Sequence, residues 1–197
     1  MLEKEILSIV RNFALDNSEK DDIHGFSHTE RVYKLCFQIG KKLGANLFIL
    51  KISAFLHDIG RIREKISSLK ENHAELSAKR ALQFLNAKKL DISENDKQNI
   101  IHCIRAHSFS NNITPKTLEA EILSDVDKLD ALGAIGLYRT IGFTVKNKGN
   151  INDVVKHLEE KILKLKNNLY LDISKEIAEE RQKIIINFYD EIKKNLT

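Results

Sequence analysis

In this 197-residue chain, the stretch Ile52-Ser-Ala-Phe-Leu-His-Asp-Ile-Gly60 is a nearly continuous apolar run that ends in the adjacent pair His57-Asp58. A carboxylate in such a setting is costly to bury as an ion unless a cation compensates it, and a metal ion does so while also using the neighbouring imidazole. A His-Asp dipeptide alone carries little weight, so the pair counts only if partners exist elsewhere. His28 lies one turn before Val32 on the helical stripe Val32, Leu35, Cys36, Ile39 and Leu43, and therefore points inward. His107 shares a stripe with Ile100 and Ile104, whereas His102 falls on another side and reads as a surface or flanking residue. Asp127 and Asp130 lie on the stripe of Leu123 and Ala134, so at least one of them faces the interior and needs a cation or hydrogen bonds there. Each has a plainer reading: a lone inward histidine satisfied by a hydrogen bond, or a buried aspartate paired with Lys128 or an arginine.

Taken together, His28, His57, Asp58 and Asp127 come from three different helices and lie on or beside apolar faces. Two imidazoles and two carboxylates form a mixed nitrogen and oxygen shell suited to Mn, Fe, Ni, Co or Mg. An ion with open coordination positions lowers the pKa of bound water and polarises a phosphoryl oxygen, so hydrolysis is the chemistry to expect.

The elements that must position these residues are helices. The chain is 42% hydrophobic and 30% charged, with one Pro, no Trp and only 8 Gly, a composition that favours long helices over many turn-linked strands. The expected class is all-α: a compact multi-helix bundle in a single domain spanning 1–197. The first helix carries Ile6, Leu7, Val10 and Phe13 or Ala14 on one stripe, and a breaker-rich loop from Asp16 to Gly25 follows. The His28 helix ends at Gly44, and the next runs from about Asn46 through His57-Asp58 to Gly60. Arg61 to Asn72 reads as charged and irregular, and His73 opens a helix marked by Ala74, Ala78, Ala81, Leu82 and Leu85. Ser93, with Asp96 three residues on, caps the His107 helix, and Thr117, after the only proline at Pro115, caps the one with Asp127. Gly133, Gly136 and Gly142 suggest a tightly packed turn region. Two helices, about Asn152–Lys166 and Ser174–Lys194, close the chain, the second burying Ile177, Ile184, Ile185, Phe188 and Ile192.

The formal charge of +4 is spread through interleaved Lys, Arg, Asp and Glu, which gives no concentrated basic arm and no indication of specific nucleic-acid binding. Cys36 and Cys103 are far apart and lack a Cys-x-x-Cys partner, so neither a structural zinc site nor a disulfide framework is expected, and a reducing cytoplasm fits. The opening Met-Leu-Glu-Lys-Glu is acidic where a signal peptide would be basic, and no apolar run approaches membrane-spanning length.

The sequence resembles the HD superfamily of metal-dependent phosphohydrolases, whose pattern is a histidine, then His-Asp, then a distant aspartate. The resemblance rests on Gly-Phe-Ser-His-Thr-Glu-Arg-Val around His28, Leu-His-Asp-Ile-Gly around His57-Asp58, His-Ser-Phe-Ser from His107, and Ser-Asp-Val-Asp-Lys-Leu-Asp-Ala-Leu-Gly-Ala-Ile-Gly around Asp127. The last string, followed by Arg139, together with Ala-Glu-Glu-Arg ending at Arg181, looks most like the small single-domain bacterial and archaeal branch. The resemblance implies His28, His57, Asp58 and Asp127 as ligands of one divalent metal. Lys128 would neutralise a phosphate oxygen and His107 would assist proton transfer or the leaving phosphate. Arg31, His73 and Arg139 would lie on the substrate side, each arginine having an equal reading as the partner of a carboxylate in the fold.

After the His-Asp pair the chain departs from nucleotide-cleaving relatives, with Arg61-Ile-Arg-Glu-Lys in place of further catalytic residues. His73, His107 and His102 leave a second metal open. The implied substrate is a small phosphorylated metabolite, a nucleotide among the candidates, and a homo-oligomer is compatible. Two other classes compete: a dinuclear iron oxygenase of the same fold, and a metal- or nucleotide-binding regulatory module without turnover.

Overall fold

The computed structural model describes residues 1–62 and 71–196; the irregular segment expected between Arg61 and Asn72 lies mostly outside the described residues. Among the described residues there are nine α-helices, two 3-10 segments and no strand, as the all-α expectation requires. The chain forms two compact units, Met1–Ser124 and Asp125–Thr197.

The first unit is organised around a helix that is apolar on nearly all sides, Lys51 being its one charged residue. Helices α1 (Glu3–Asp16), α2 (Phe26–Leu43) and α3 (Leu47–Leu56) are followed by α4 (His73–Ala87) and α5 (Glu94–Ala106). α3 packs against α1, α2, α4 and α5, and it buries Ile49 and Leu50, then, past Lys51, Ile52, Ser53, Ala54, Phe55 and Leu56. Such a helix is stable only when neighbours cover every face. The surrounding helices are amphipathic: α1 buries Ile6, Val10 and Ala14, and α2 buries His28, Val32, Cys36 and Ile39.

Their ends follow from local chemistry. The Asn46 side chain accepts from the backbone N–H groups of Phe48 and Ile49, Asn72 from Ala74, and Ser93 from Asp96, each satisfying amide groups that the first helical turn leaves without partners. α2 stops at Gly44, whose φ of 73° lies in the left-handed region that glycine tolerates. Leu43 and Leu82, expected on buried stripes, are instead largely exposed at the outer edges of their helices.

Helix α6 (Leu118–Asp130) runs from the first unit into the second, which continues with α7 (Gly133–Lys146), α8 (Ile151–Glu160), a 3-10 segment (Ile162–Asn168) and α9 (Asp172–Leu196). α9 packs on α7, α8 and the 3-10 segment. The turn region expected across Gly133 to Gly142 is instead a helix whose buried face is made of small residues, Gly133, Gly136, Thr140 and Thr144. A Cβ on Gly136 would sit 2.1 Å from the carbonyl carbon of Ala131, so only glycine permits this close return of the chain. The helix expected to reach Lys166 ends at Glu160 and tightens into the 3-10 segment. On α9 the buried residues are Ser174, Ala178 and Ile185, while Ile184 is 45% exposed, so the buried face is rotated from the expected stripe.

Candidate metal centre

The apolar run of α3 ends one residue before the His-Asp pair. Leu56 is the last helical residue, and His57 to Gly60 form a turn in place of the expected helical continuation. The reason is the close approach of α4: a Cβ on Gly60 would lie 2.5 Å from Ser77 N and 2.6 Å from His73 O, and the Gly60 N–H donates to Ser77 Oγ at 2.9 Å. The turn brings His57 and Asp58 into the unit's interior rather than letting them follow a helical face.

Asp58, 7% exposed, is the centre of a ring of imidazoles. Its Oδ2 lies 3.6 Å from His28 Nε2 and 3.5 Å from His57 Nε2, and its Oδ1 lies 3.7 Å from His73 Nε2 and 3.5 Å from His107 Nε2. The rings meet edge to face in the order His28, His57, His107, His73. His28, His57 and His107 are fully buried and His73 nearly so. Arg61, three residues on from Asp58, donates from Nε to Oδ2. Burial opposes ionisation of Asp58, but the Arg61 guanidinium beside it outweighs that cost and holds the carboxyl well below the usual carboxylate range.

Ring orientation decides what these histidines offer. His57 Nδ1 is 2.8 Å from the carbonyl of Ala54, and His107 Nδ1 is 2.6 Å from that of Ile104. A carbonyl only accepts, so Nδ1 carries the proton in both and each neutral ring turns the lone pair of Nε2 towards Asp58. Ser124 Oγ in turn donates to the carbonyl of His107 at 3.4 Å. His28 Nε2 and His57 Nε2 approach to 3.2 Å, and Asp58 Oδ1 and His107 Nε2 are buried without a hydrogen-bond partner among the described residues. Lone pairs and a carboxylate converging in a dry site need positive charge between them. Two donor groups are close enough to hold an ion: His28, His57 and Asp58, and Asp58, His73 and His107. The donor chemistry therefore fits a divalent metal, with Asp58 common to both groups.

The other candidates are placed less centrally or in the second unit. Arg31 is half-buried on α2. His102 is half-exposed, and its Nε2 accepts from the backbone N–H of Lys116. Asp127 is half-buried in the last turn of α6. Lys128 beside it is 5% exposed with its Nζ 5.4 Å from the centre of the Tyr170 ring; burial lowers its pKa against the opposing pull of Asp125 and Asp127. Arg139 donates to the side chain of Asp130 at 2.7 Å, the carboxylate pairing that was one of its two readings.

Three residues escaped the sequence reading. Arg61 stood out only as part of an unusual segment, although its i+3 spacing from Asp58 is a recognisable ion-pair signal. Asp125 is fully buried with Ile122 and Leu129, three residues after one and four before the other, a stripe visible in the sequence but passed over in favour of Asp127 and Asp130. Tyr170, whose backbone N–H bonds to Asp125, had no local signal.

Residues 25–132, more than half of the chain, match the HD domain family. The chain belongs to the HD-domain family. Its relatives include YpgQ of Bacillus subtilis strain 168, 28% identical over 98% of this chain and 93% of YpgQ. The crystal structure of a Lactobacillus plantarum protein superposes with a TM-score of 0.83 at 26% identity, covering 100% of this chain and 99% of that one. A Bacillus thuringiensis HD-superfamily hydrolase does so with a TM-score of 0.73 at 26% identity, covering 99% and 98%. YpgQ has also been solved in complex with ADP, with a TM-score of 0.76 to this chain. The HD family match spans all five residues of the clustered site, from His28 to His107.

Proposed function

We propose that this HD-family chain is a metal-dependent phosphohydrolase that cleaves a phosphate ester or anhydride of a nucleotide or a related small phosphorylated metabolite. The observation that carries the proposal is the convergence of four imidazole Nε2 atoms on the two oxygens of one buried aspartate. Membership among HD-superfamily hydrolases and the ADP complex of YpgQ support a nucleotide as the substrate class.

In this proposal His28, His57 and Asp58 hold one ion, with Asp127 as a further ligand implied by the family resemblance. The expectation was of one metal. The grouping of His73 and His107 at the other oxygen of Asp58 favours a second position, which makes both histidines ligands in place of the substrate and proton-transfer roles implied by the resemblance. Nitrogen and oxygen donors in this mixture suit Mn, Ni, Co or Fe before Mg. A bound divalent ion supplies acidified water and a polarised phosphoryl oxygen. The chain supplies the rest. The carbonyls of Ala54 and Ile104 fix the tautomers of His57 and His107, burial keeps water from competing for the donors, and Lys128 offers a compact ammonium charge to a phosphate oxygen. Arg31 is a second phosphate-binding candidate, whereas Arg139 is engaged by Asp130. The whole chain is proposed to act as one HD-type domain in the cytoplasm; among the described residues no helix is long and apolar enough to cross a membrane.

Purified protein should release phosphate or pyrophosphate from a member of a phosphorylated-metabolite panel when Mn, Co, Ni or Mg is added, and Asp58→Ala should abolish that release. Activity persisting in folded, metal-depleted Asp58→Ala protein would refute the mechanism. The two donor groups also keep a dinuclear iron oxygenase in view. That reading requires two iron ions per chain, so full hydrolytic activity with Mn alone would dismiss it.

A further inference from the structure

Helix α4 presents His73, Ser77 and Arg80 along one face, at intervals of four and three residues. All three meet the His57–Gly60 turn. His73 faces Asp58 Oδ1 at 3.7 Å, Ser77 Oγ accepts the Gly60 N–H at 2.9 Å, and Arg80 Nη1 donates to the Ile59 carbonyl at 2.5 Å. Arg80 Nη2 reaches on to Asn17 Oδ1, at the C-cap of α1. Ser77 is fully buried, and at Gly60 the turn and α4 are as close as two backbones pack. The two residues after Asp58 are thus each fastened to the helix that supplies His73, and Arg80 braces the same turn against the end of α1.

His28 and His57 are held independently. His28 belongs to α2, and His57 is fixed through the Ala54 carbonyl of its own helix. The α4 fastening therefore governs the spacing of Asp58 Oδ1 from His73 without setting the spacing of His28 from His57.

We propose that Ser77 and Arg80 are positioning residues that set the separation of Asp58 Oδ1 from His73 Nε2, and so determine the affinity of the ion position formed by Asp58, His73 and His107. The inference rests on the reading of Asp58 as a ligand common to two positions. Neither side chain belongs to the donor groups. Each acts through the backbone of Ile59 or Gly60, in the way that groups behind the ligands orient metal sites.

The test is an equilibrium titration of metal-depleted protein with Co²⁺, followed by visible absorption and calorimetry, on wild type, Ser77→Ala, Arg80→Lys and Asn17→Ala, with melting curves run in parallel. Wild type should show two binding events. Ser77→Ala and Arg80→Lys should weaken one of them by about 10–100-fold and the other, which shares Asp58, by distinctly less. Asn17→Ala removes the outer brace of Arg80, together with the Asn17 donation to the Phe13 carbonyl at the end of α1, and should shift the same event in the same direction by less. It keeps the test decisive if a buried variant fails to fold. Two events in wild type with no change, or an equal weakening of both, in the folded variants would overturn the positioning role alone. A single event in wild type would overturn the reading of Asp58 as common to two positions, and the inference with it.

Discussion

Asp58 and Asp125 are both buried carboxylates, one in each unit, and their surroundings differ in kind. Asp125 is satisfied by backbone: its Oδ1 accepts from Tyr170 N–H at 2.9 Å, and its Oδ2 from Tyr170 at 3.2 Å and Leu171 at 2.9 Å. It anchors the strand of chain entering α9, and its oxygens are spent on neutral donors. Asp58 is ringed by four imidazoles, at least two of which turn lone pairs towards it, and its Oδ1 has no hydrogen-bond partner among the described residues. The first arrangement is complete as it stands; the second calls for a cation. Burial of an aspartate is thus no signal of a metal by itself. The chemical type of the atoms facing it is.

Exchanging the roles of the two carboxylates gives the largest expected effects. Asp58→Ala should lower hydrolytic activity by about three orders of magnitude, the several kcal/mol that a metal ion supplies to a transition state, with the helical circular dichroism retained. Asp125→Ala should retain metal binding in the folded fraction, but should lose on the order of 1–3 kcal/mol of stability in urea unfolding, because the part-buried N–H groups of Tyr170 and Leu171 lose their acceptor. A destabilised but metal-competent Asp58→Ala protein would erase the distinction.

Metal addition should separate the same pair. At a hundredfold excess over Kd a bound ion adds about 2.7 kcal/mol to stability, which thermal melts with and without Mn²⁺ would read. The gain should survive in Asp125→Ala and vanish in Asp58→Ala. Arg61 sharpens the point, since its guanidinium lies on Asp58 Oδ2, the oxygen an ion held by His28 and His57 would share. Arg61→Met should therefore tighten binding of the first metal, measured calorimetrically; weaker binding would mean that Arg61 supports the site rather than competes for it.

The smallest effect concerns a histidine outside the cluster. His157 on α8 stands against the Phe143 ring, and burial, then Lys161, lowers its pKa from 6.5 despite Glu160. A depressed histidine contributes stability that is present above pH 6.5 and is lost as the pH falls below it, because the unfolded chain takes up the proton more readily. His157→Gln should flatten the decline in melting temperature on the acid side of pH 6.5. An unchanged slope would leave His157 without a part in the acid response.

Most of the helices and the inward histidines were legible because their signals are periodic. His28 rides the stripe of Val32, Cys36 and Ile39, His107 that of Ile100 and Ile104, and the caps at Asn46, Ser93 and Thr117 are local chemistry. Periodicity failed where a neighbour overrode it. The helix leading to the His-Asp pair was expected to reach Gly60 but stops at Leu56, because α4 packs directly on Gly60, and Gly136 of α7 serves close packing rather than a turn.

The sequence alone determined that this chain is helical, that a nearly continuous apolar run ends in His57-Asp58, and that His28 and His107 point inward, since each follows from the pattern of a single segment. Only the tertiary structure decided that both histidines share one aspartate and that His73 joins them. Those are distances between side chains that no one helix controls, set by how α2, α4 and α5 close around α3.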